Sequence, residues 1–464
     1  MYDDTIAAVA TAPGEGGIGI VRLSGPEALN IAARLFRPQR PGRLQSYRLR
    51  YGHIVHPATG AVVDEAMAVL MAAPRSFTRE DVVELSVHGG PLPVQATLGL
   101  CLAAGARLAR PGEFTLRAFL NGRIDLSQAE ATLDIIRAQT DAALALAQAQ
   151  LGGWLAREVR AARQALLEAL AYVTVMVDFP EDEVPPQDIG PQLRAGLATV
   201  EALLRGADQG IIYRQGARVA IVGVPNVGKS SLLNALLRAD RAIVTPVPGT
   251  TRDTLEETAN FGGVPVVLID TAGMHASADP IERLGVERAR AALAGADLAL
   301  LVLDATRALT DGDRAIATLT ADKPTMLVWN KTDERGTPTD ERSSIGADRS
   351  SLSDHPRLLA TVHVSARTGA GLDELAQAIA SALLGGVTPA AGAAHLVSNP
   401  RHRDVLRRAH EYLAAALSGW DAAHPIDMLG GDLTAALNAL GEITGETVGE
   451  DLLDVIFARF CIGK

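Results

Sequence analysis

Gly223-Val224-Pro225-Asn226-Val227-Gly228-Lys229-Ser230 follows a short apolar run at 219–222 and precedes a helix-forming segment at 230–237. The pattern GxxxxGK[ST] between a strand and a helix is a phosphate cradle. Its glycines let successive backbone N–H groups close around phosphate oxygens, and the helix N-terminus adds a favourable dipole. Lys229 is placed to reach the β- and γ-phosphates and Ser230 to ligate Mg2+. Outward from this turn, 219–222, 264–269, 298–303, 325–329 and 362–364 are short continuous apolar runs with helical patterns between them. Such runs suit parallel strands buried on both faces, so 216–384 is expected to be a doubly wound α/β domain.

A phosphate cradle alone serves ATP and GTP equally. Four downstream elements select guanine, in the order that GTP-hydrolysing domains use. Gly249-Thr250-Thr251-Arg252-Asp253 puts Thr251 in a switch-like loop, where it joins the Mg2+ shell when a γ-phosphate is present. Asp270-Thr271-Ala272-Gly273 follows a strand and offers the Gly273 N–H to the γ-phosphate. Asn330-Lys331-Thr332-Asp333 follows another, and the Asp333 carboxylate accepts two hydrogen bonds from the N1–H and N2 amino group of guanine, a pair that adenine cannot donate. Ser365-Ala366-Arg367 covers guanine O6. Ser231 and the segment Thr245-Pro246-Val247-Pro248-Gly249-Thr250-Thr251 complete the expected GTP-binding set.

Lys229 and Asp270 are expected catalytic residues. The glutamine that orients the attacking water in Ras-like enzymes is replaced by Met274, which cannot do so. A polar group must come from elsewhere, and Glu282 is the candidate; its plain alternative is an exposed carboxylate near the start of a helix at 282–294, favoured there by the helix dipole.

The chain has 464 residues, 48% hydrophobic and only 4% aromatic, room for about three domains with Ala-, Leu-, Val- and Ile-rich cores. A net charge of −11 makes general nucleic-acid binding unpromising and requires any RNA contact to use a local basic patch. Arg401, Arg403, Arg407 and Arg408 are one candidate, with a solvated helix face as the plainer reading. Two cysteines, Cys101 and Cys461, argue against a disulfide framework or a Cys-rich zinc site. Asp3 and Asp4 stand where a signal peptide would be basic, and no apolar run reaches membrane-spanning length. A cytoplasmic protein with no membrane association is expected. The ending Cys461-Ile462-Gly463-Lys464 has the outline of a prenylation box, but Gly463 is not aliphatic and Lys464 is atypical in last place.

Residues 1–118 alternate apolar runs (18–23, 66–71, 82–87) with Gly/Pro turns, as in a compact α+β domain. Period-two alternation over 83–88 puts Val83, Leu85 and Val87 on one strand face and Glu84, Ser86 and His88 on the other. Residues 119–215 and 385–464 are Ala/Leu-rich and helical in pattern. Leu155, Val159, Ala162, Leu166, Leu170, Val173 and Val177 form an apolar stripe, and Gly152-Gly153 separates it from the preceding helix. Two helical stretches flanking an α/β unit imply one helical domain with the nucleotide domain inserted in it.

Outside the nucleotide domain the chain resembles the MnmE (TrmE) family over essentially its whole length. The matching segments are Asp4-Thr5-Ile6-Ala7-Ala8, Val21-Arg22-Leu23-Ser24-Gly25, His88-Gly89-Gly90-Pro91, Arg110-Pro111-Gly112-Glu113-Phe114-Thr115, Arg117-Ala118-Phe119-Leu120-Asn121-Gly122, Asp125-Leu126-Ser127-Gln128-Ala129-Glu130-Ala131 and Phe460-Cys461-Ile462-Gly463-Lys464. The resemblance implies an N-terminal tetrahydrofolate-binding and dimerisation domain, a discontinuous helical domain and an inserted G domain. It implies a homodimer that works with the flavoprotein MnmG (GidA), as a heterotetramer, to modify C5 of the tRNA wobble uridine. The added carbon comes from a 5-formyl- or 5,10-methylene-tetrahydrofolate derivative, and FAD belongs to the partner alone.

By motif match, Arg22, Glu84, Arg123 and Lys464 line the folate site. Arg123 stands where the family often has lysine, and Lys464 requires the C-terminus to reach the N-terminal domain, within the chain or across a dimer. The resemblance also implies K+ at the nucleotide, held by the Asn226 side chain and by backbone oxygens of the loop containing Thr245, Val247 and Thr250, and gives Glu282 the water-activating role. Met274-His275 departs from the usual aliphatic residue followed by arginine. Cys461 reads either as a nucleophilic thiol near folate and uridine or as a small apolar side chain at a domain contact. Two other functions compete: a ribosome-assembly GTPase switch, which should carry an RNA-binding module such as a GXXG loop, and a stand-alone folate one-carbon transferase. Gly14-Glu15-Gly16-Gly17 matches the GXXG loop poorly, being acidic at its centre.

Overall fold

The computed structural model describes residues 3–179, 185–239, 257–270, 290–334, 352, 354–386 and 395–463. The chain divides into two compact units, Met1–Leu133 with Leu151–Gln187 and Ala422–Lys464, and Asp134–Gln150 with Asp188–Asp421. Among the described residues no helix is long and apolar enough to cross a membrane.

The first unit holds a seven-stranded sheet of β1 (Ile6–Val9), β2 (Gly16–Ser24), β3 (Phe36–Pro38), β4 (Arg50–Val55), β5 (Val62–Met71), β6 (Val82–Gly89) and β7 (Arg107–Leu108), in the order β3-β4-β5-β6-β2-β1-β7. Neighbours are antiparallel except β1 and β7. The apolar runs at 18–23, 66–71 and 82–87 fall inside β2, β5 and β6. Along β6, Val83, Leu85 and Val87 are buried under α1 (Ala28–Leu35) and α2 (Pro91–Ala103), as the alternation requires. Glu84 points to the opposite face, where α3 (Glu113–Leu120) adds Phe114 to a small core of Ile6, Ala8 and Ala109.

A buried ion network fixes α3. The fully buried Arg117 guanidinium pairs with Asp4 (2.6 Å), Glu113 (3.1 Å) and Glu80 (3.2 Å). Arg107 pairs with Asp4 at 2.7 Å and Glu113 at 2.6 Å. Burial alone would raise the Glu113 carboxyl, but hydrogen bonds from Arg107, the Arg110 N–H and Arg117 hold it below the usual range.

In the same unit α6 (Trp154–Asp178) packs on α13 (Ile426–Thr444), with α14 (Glu450–Phe457) following. The Gly152-Gly153 break is observed, but the stripe differs from expectation. Leu155, Val159, Ala162, Leu166, Ala169 and Val173 are buried, while Leu170 is half-buried and Val177 exposed. The small Ala169 continues the alternating three- and four-residue steps, and Leu170 lies one residue off that line.

The second unit contains a six-stranded sheet of β8 (Ala217–Val222), β9 (Glu257–Phe261), β10 (Val264–Asp270), β11 (Leu298–Asp304), β12 (Thr325–Asn330) and β13 (Leu358–His363), ordered β13-β12-β11-β8-β10-β9. All seven residues of β11 are buried, alternate side chains entering cores on the two faces. Two expectations are corrected. The sheet is mixed, because β9 runs antiparallel to β10 at one edge. The last strand spans Leu358–His363, not 362–364, because an edge strand exposed on alternate residues needs no continuous apolar run. Helices of this unit include α7 (Gly190–Leu204), α8 (Ala207–Gln215), α9 (Lys229–Ala239), α10 (Asp311–Leu319), α11 (Leu372–Leu383) and α12 (Pro400–Asp421), with α7 packed on α12.

Candidate functional site

The turn after β8 cannot be built without two of its glycines. Gly223 has φ +156°, and a Cβ there would lie 2.5 Å from the Val302 carbonyl oxygen. Gly228 has φ +94°, and its Cβ would lie 2.3 Å from Nδ2 of Asn330. Between them Asn226 takes the left-handed conformation with φ +65° and is exposed.

The Lys229 ammonium is buried and donates to the carbonyls of Gly223 and Val224, at 2.9 Å each. Burial lowers its pKa, opposed by the nearby Asp270. Ser230 Oγ donates to Asp270 Oδ2 at 2.9 Å, which sets a hydroxyl and a carboxylate side by side as hard oxygen donors.

The end of β12 supplies the base-recognition side. Asn330 Nδ2 donates to the Val227 carbonyl (2.9 Å), and its Oδ1 accepts from the Ala366 N–H (3.0 Å). One amide thus ties the phosphate turn to the loop after β13. Asp333 accepts from Ser365 Oγ at 2.7 Å on one carboxylate oxygen and forms an ion pair with Arg367, whose Nε lies 3.0 Å from the other. The Ser365 hydroxyl, with help from Arg367, holds the Asp333 carboxyl below its usual range, so it is anionic. Lys331 pairs with Asp304 at 2.6 Å. Sequence reasoning missed Asp304; its signal was an acid closing an otherwise apolar strand.

Gly223, Asn226, Val227, Gly228, Lys229, Ser230, Ser231, Asp270, Asn330, Lys331, Asp333, Ser365, Ala366 and Arg367 therefore lie on elements at the carboxyl ends of β8, β10, β12 and β13. Thr245, Pro246, Val247, Pro248, Gly249, Thr250, Thr251, Thr271, Ala272, Gly273 and Glu282, with Met274 and His275, lie outside the described residues.

A second cluster forms on the α3 face of the first unit. Arg22 and Glu84 are register partners across β2 and β6, with Arg22 Nε 2.8 Å from Glu84 Oε1. The Arg22 guanidinium lies 5.7 Å from the Phe114 ring centroid, and Arg123 lies 5.1 Å from that of Phe77 while donating to the Ser76 carbonyl at 2.7 Å. Phe77 packs against the core that contains Phe114, so both cations stand on one aromatic cluster. Arg22 also donates to the Gly463 carbonyl at 3.2 Å. The residue before Lys464 thus reaches this site within the same chain; Lys464 itself lies outside the described residues.

Cys461 is exposed in the single chain. The basic row on α12 is largely compensated: Arg403 pairs with Asp208 at 2.8 Å and with Asp404 at 3.1 Å, and Arg407 with Asp404 at 3.8 Å.

Comparison with known families finds two matches, "GTP-binding protein TrmE N-terminus" over residues 5–123 and "MnmE helical domain" over residues 126–461. The chain belongs to the MnmE family of tRNA modification GTPases. The tRNA modification GTPase MnmE of Chloroflexus aurantiacus is 67% identical over 462 residues, covering 100% of both chains. The MnmE of Geobacter sulfurreducens is 49% identical over 468 residues, again covering 100% of both. Among solved structures, a point variant of Aquifex aeolicus Era bound to GDP.AlF4- is 32% identical and matches 42% of this chain and 66% of its own, with a TM-score of 0.28. The G domain of the T. maritima FeoB iron transporter is 28% identical and matches 35% of this chain and 96% of its own, with a TM-score of 0.25.

Proposed function

We propose that this MnmE-family chain hydrolyses GTP in residues 216–384 and uses that turnover to drive modification of the tRNA wobble uridine at C5. The observation that carries the reading is the convergence of an anionic Asp333 with the phosphate turn through Asn330. That arrangement supports guanine at one end and a triphosphate at the other. Lys229 binds the β- and γ-phosphates, exchanging its two carbonyl partners for phosphate oxygens. Asp333 and the Ser365–Arg367 loop hold the base.

The adjacent Ser230 and Asp270 oxygens fit Mg2+, which they would hold together with Thr251 and which would neutralise phosphate charge there. K+ would serve the same end beside the phosphates, through the exposed Asn226 and the loop of Thr245, Val247 and Thr250. Glu282 orients the attacking water.

In the same proposal residues 1–118 bind a 5-formyl- or 5,10-methylene-tetrahydrofolate derivative and dimerise, and 119–215 with 385–464 form the helical domain. Glu84 has the chemistry to accept the N–H edge of a pterin. Arg22, Arg123 and Lys464 supply cations for the carboxylate-bearing remainder. The homodimer works in the cytoplasm with MnmG (GidA), which carries FAD, as a heterotetramer on tRNA.

The test is the GTPase rate of purified protein in KCl against NaCl at equal ionic strength, with Asn226→Ala and Glu282→Ala alongside. Stimulation by K+ that disappears in Asn226→Ala, and loss of turnover without loss of GTP binding in Glu282→Ala, are expected. Equal rates in the two salts would remove the cation mechanism.

A further inference from the structure

Between Glu27 and Asp64 the chain has no acidic residue, yet it carries Arg34, Arg37, Arg40, Arg43, Arg48 and Arg50. In a chain of net charge −11 this is a local reversal of sign. The fold gathers the run at one margin of the N-terminal sheet: Arg34 lies in the last turn of α1, Arg37 lies on the edge strand β3, Arg50 begins β4, and the others lie in the connection between those strands.

Five of the six are exposed and Arg50 is half-buried. Among the described residues none of the six enters an ion pair. Arg34 donates to the Ala104 carbonyl and Arg50 to the Arg40 carbonyl, neither of which neutralises charge. The two acids that follow the run are already engaged, Asp64 by His88 (2.7 Å) and Glu65 by the Tyr51 hydroxyl. On α12, by contrast, Arg403 and Arg407 carry carboxylate partners.

Aromatic and apolar surface is interleaved with the charge. Tyr47 is 61% exposed, Leu49 60% and Tyr51 43%. Tyr47 is held at both ends, its N–H donating to the Leu70 carbonyl at 2.7 Å and its hydroxyl to the Arg75 carbonyl, so the ring is a fixed platform. Arginines without carboxylate partners beside a fixed, exposed aromatic ring match the two needs of RNA binding, phosphate neutralisation and base stacking.

We propose that the β3–β4 edge, residues 34–51, is the surface on which this chain docks tRNA, its arginines on backbone phosphates and Tyr47 against an unstacked base. The inference rests on the functional reading above, since it takes RNA to be the substrate. A second copy of the chain is a poorer occupant: a two-fold contact would lay this patch on itself and oppose like charges.

The test uses full-length protein and fluorescently labelled tRNA, with anisotropy titrations from low to moderate KCl. The quadruple variant Arg37→Gln/Arg40→Gln/Arg43→Gln/Arg48→Gln is compared with wild type and with Arg407→Gln, and GTPase rate and molar mass are recorded for all. The quadruple variant should bind tRNA at least about 100-fold more weakly and lose about three to four units of slope in log K against log salt. Arg407→Gln should bind like wild type, and GTPase rate and mass should not change. Unchanged tRNA binding by the quadruple variant overturns the proposal. So does a wild-type chain that binds no tRNA, or a variant that changes molar mass instead of RNA affinity, which would make the edge an interface between copies. Wild-type protein that binds tRNA through this edge but yields no modified uridine with its flavoprotein would sink the functional reading and leave the docking surface standing.

Discussion

The side-chain amide of Asn330 donates to the carbonyl of Val227, 2.9 Å away and 103 residues earlier in the chain. The same amide accepts the Ala366 N–H at 3.0 Å, so one residue sets the spacing between phosphate turn and base loop. Asn330→Ala leaves a backbone acceptor and a backbone donor without these partners, at about 1–3 kcal/mol for each buried group. Melting temperature should fall and GTP should bind at least about tenfold more weakly in a fluorescent-nucleotide titration. Unchanged affinity would show that the tie does not hold the cradle.

Asp333→Asn alters base choice. The amide offers one acceptor and one donor in place of two acceptors. Guanine then loses one hydrogen bond and faces a donor, whereas xanthine, with N1–H and a carbonyl at C2, gains a match. Competition between GTP and XTP should reverse in favour of XTP. A variant that still prefers GTP would remove Asp333 from base recognition.

The buried network around Arg117 makes the N-terminal sheet sensitive to acid. Asp4 and Glu113 have carboxyl pKa values lowered below their ordinary range: burial opposes the shift, and hydrogen bonds from Arg107 and Arg117 outweigh it. The unfolded chain therefore takes up protons first as pH falls. The network's stability is present above about pH 4 and is lost as pH falls through the lowered folded values. Arg117→Ala, which strands buried carboxylates, should cost about 3–5 kcal/mol at neutral pH and flatten the acid limb of a stability-versus-pH curve. A limb of unchanged steepness would place acid sensitivity elsewhere.

Gly463 anchors the C-terminus. Its φ is +95°, and a Cβ would lie 2.1 Å from the Val9 carbonyl oxygen. Gly463→Ala should displace the terminus from Arg22 and weaken binding of a tetrahydrofolate derivative, measured calorimetrically, while GTP affinity is unchanged. Glu84→Gln should weaken the same binding by about 1.5–3 kcal/mol through loss of a charged acceptor. If folate binding survives both substitutions, the site lies elsewhere.

What the sequence disclosed depended on how local each signal was. Gly223 to Ser230 and Asn330 to Asp333 were legible because their chemistry resides in consecutive residues at a strand end. β9 was not: Glu257-Thr258-Ala259-Asn260-Phe261 lacks an apolar run, and only its pairing with β10 defines it as a strand. The edge position of β13 hid its start in the same way. Arg22 and Glu84 were named by resemblance, but their direct pairing follows from the register of β2 and β6, which no local pattern encodes. Nor could spacing show that Asp4, Glu80 and Glu113, from three separate segments, meet at one buried arginine. The arginines from 34 to 50 were visible as letters, but only burial and ion-pair geometry separate them from the compensated row on α12.

The most direct test of the central proposal, that GTP turnover in this chain drives uridine modification, is a reconstituted reaction with the proposed flavoprotein partner, unmodified tRNA and the proposed tetrahydrofolate carbon donor, read by mass spectrometry of the tRNA nucleosides. Modified wobble uridine should form with GTP and fail to form with a non-hydrolysable GTP analogue or with the Asp270→Asn chain. Equal modification under all three conditions would contradict the account.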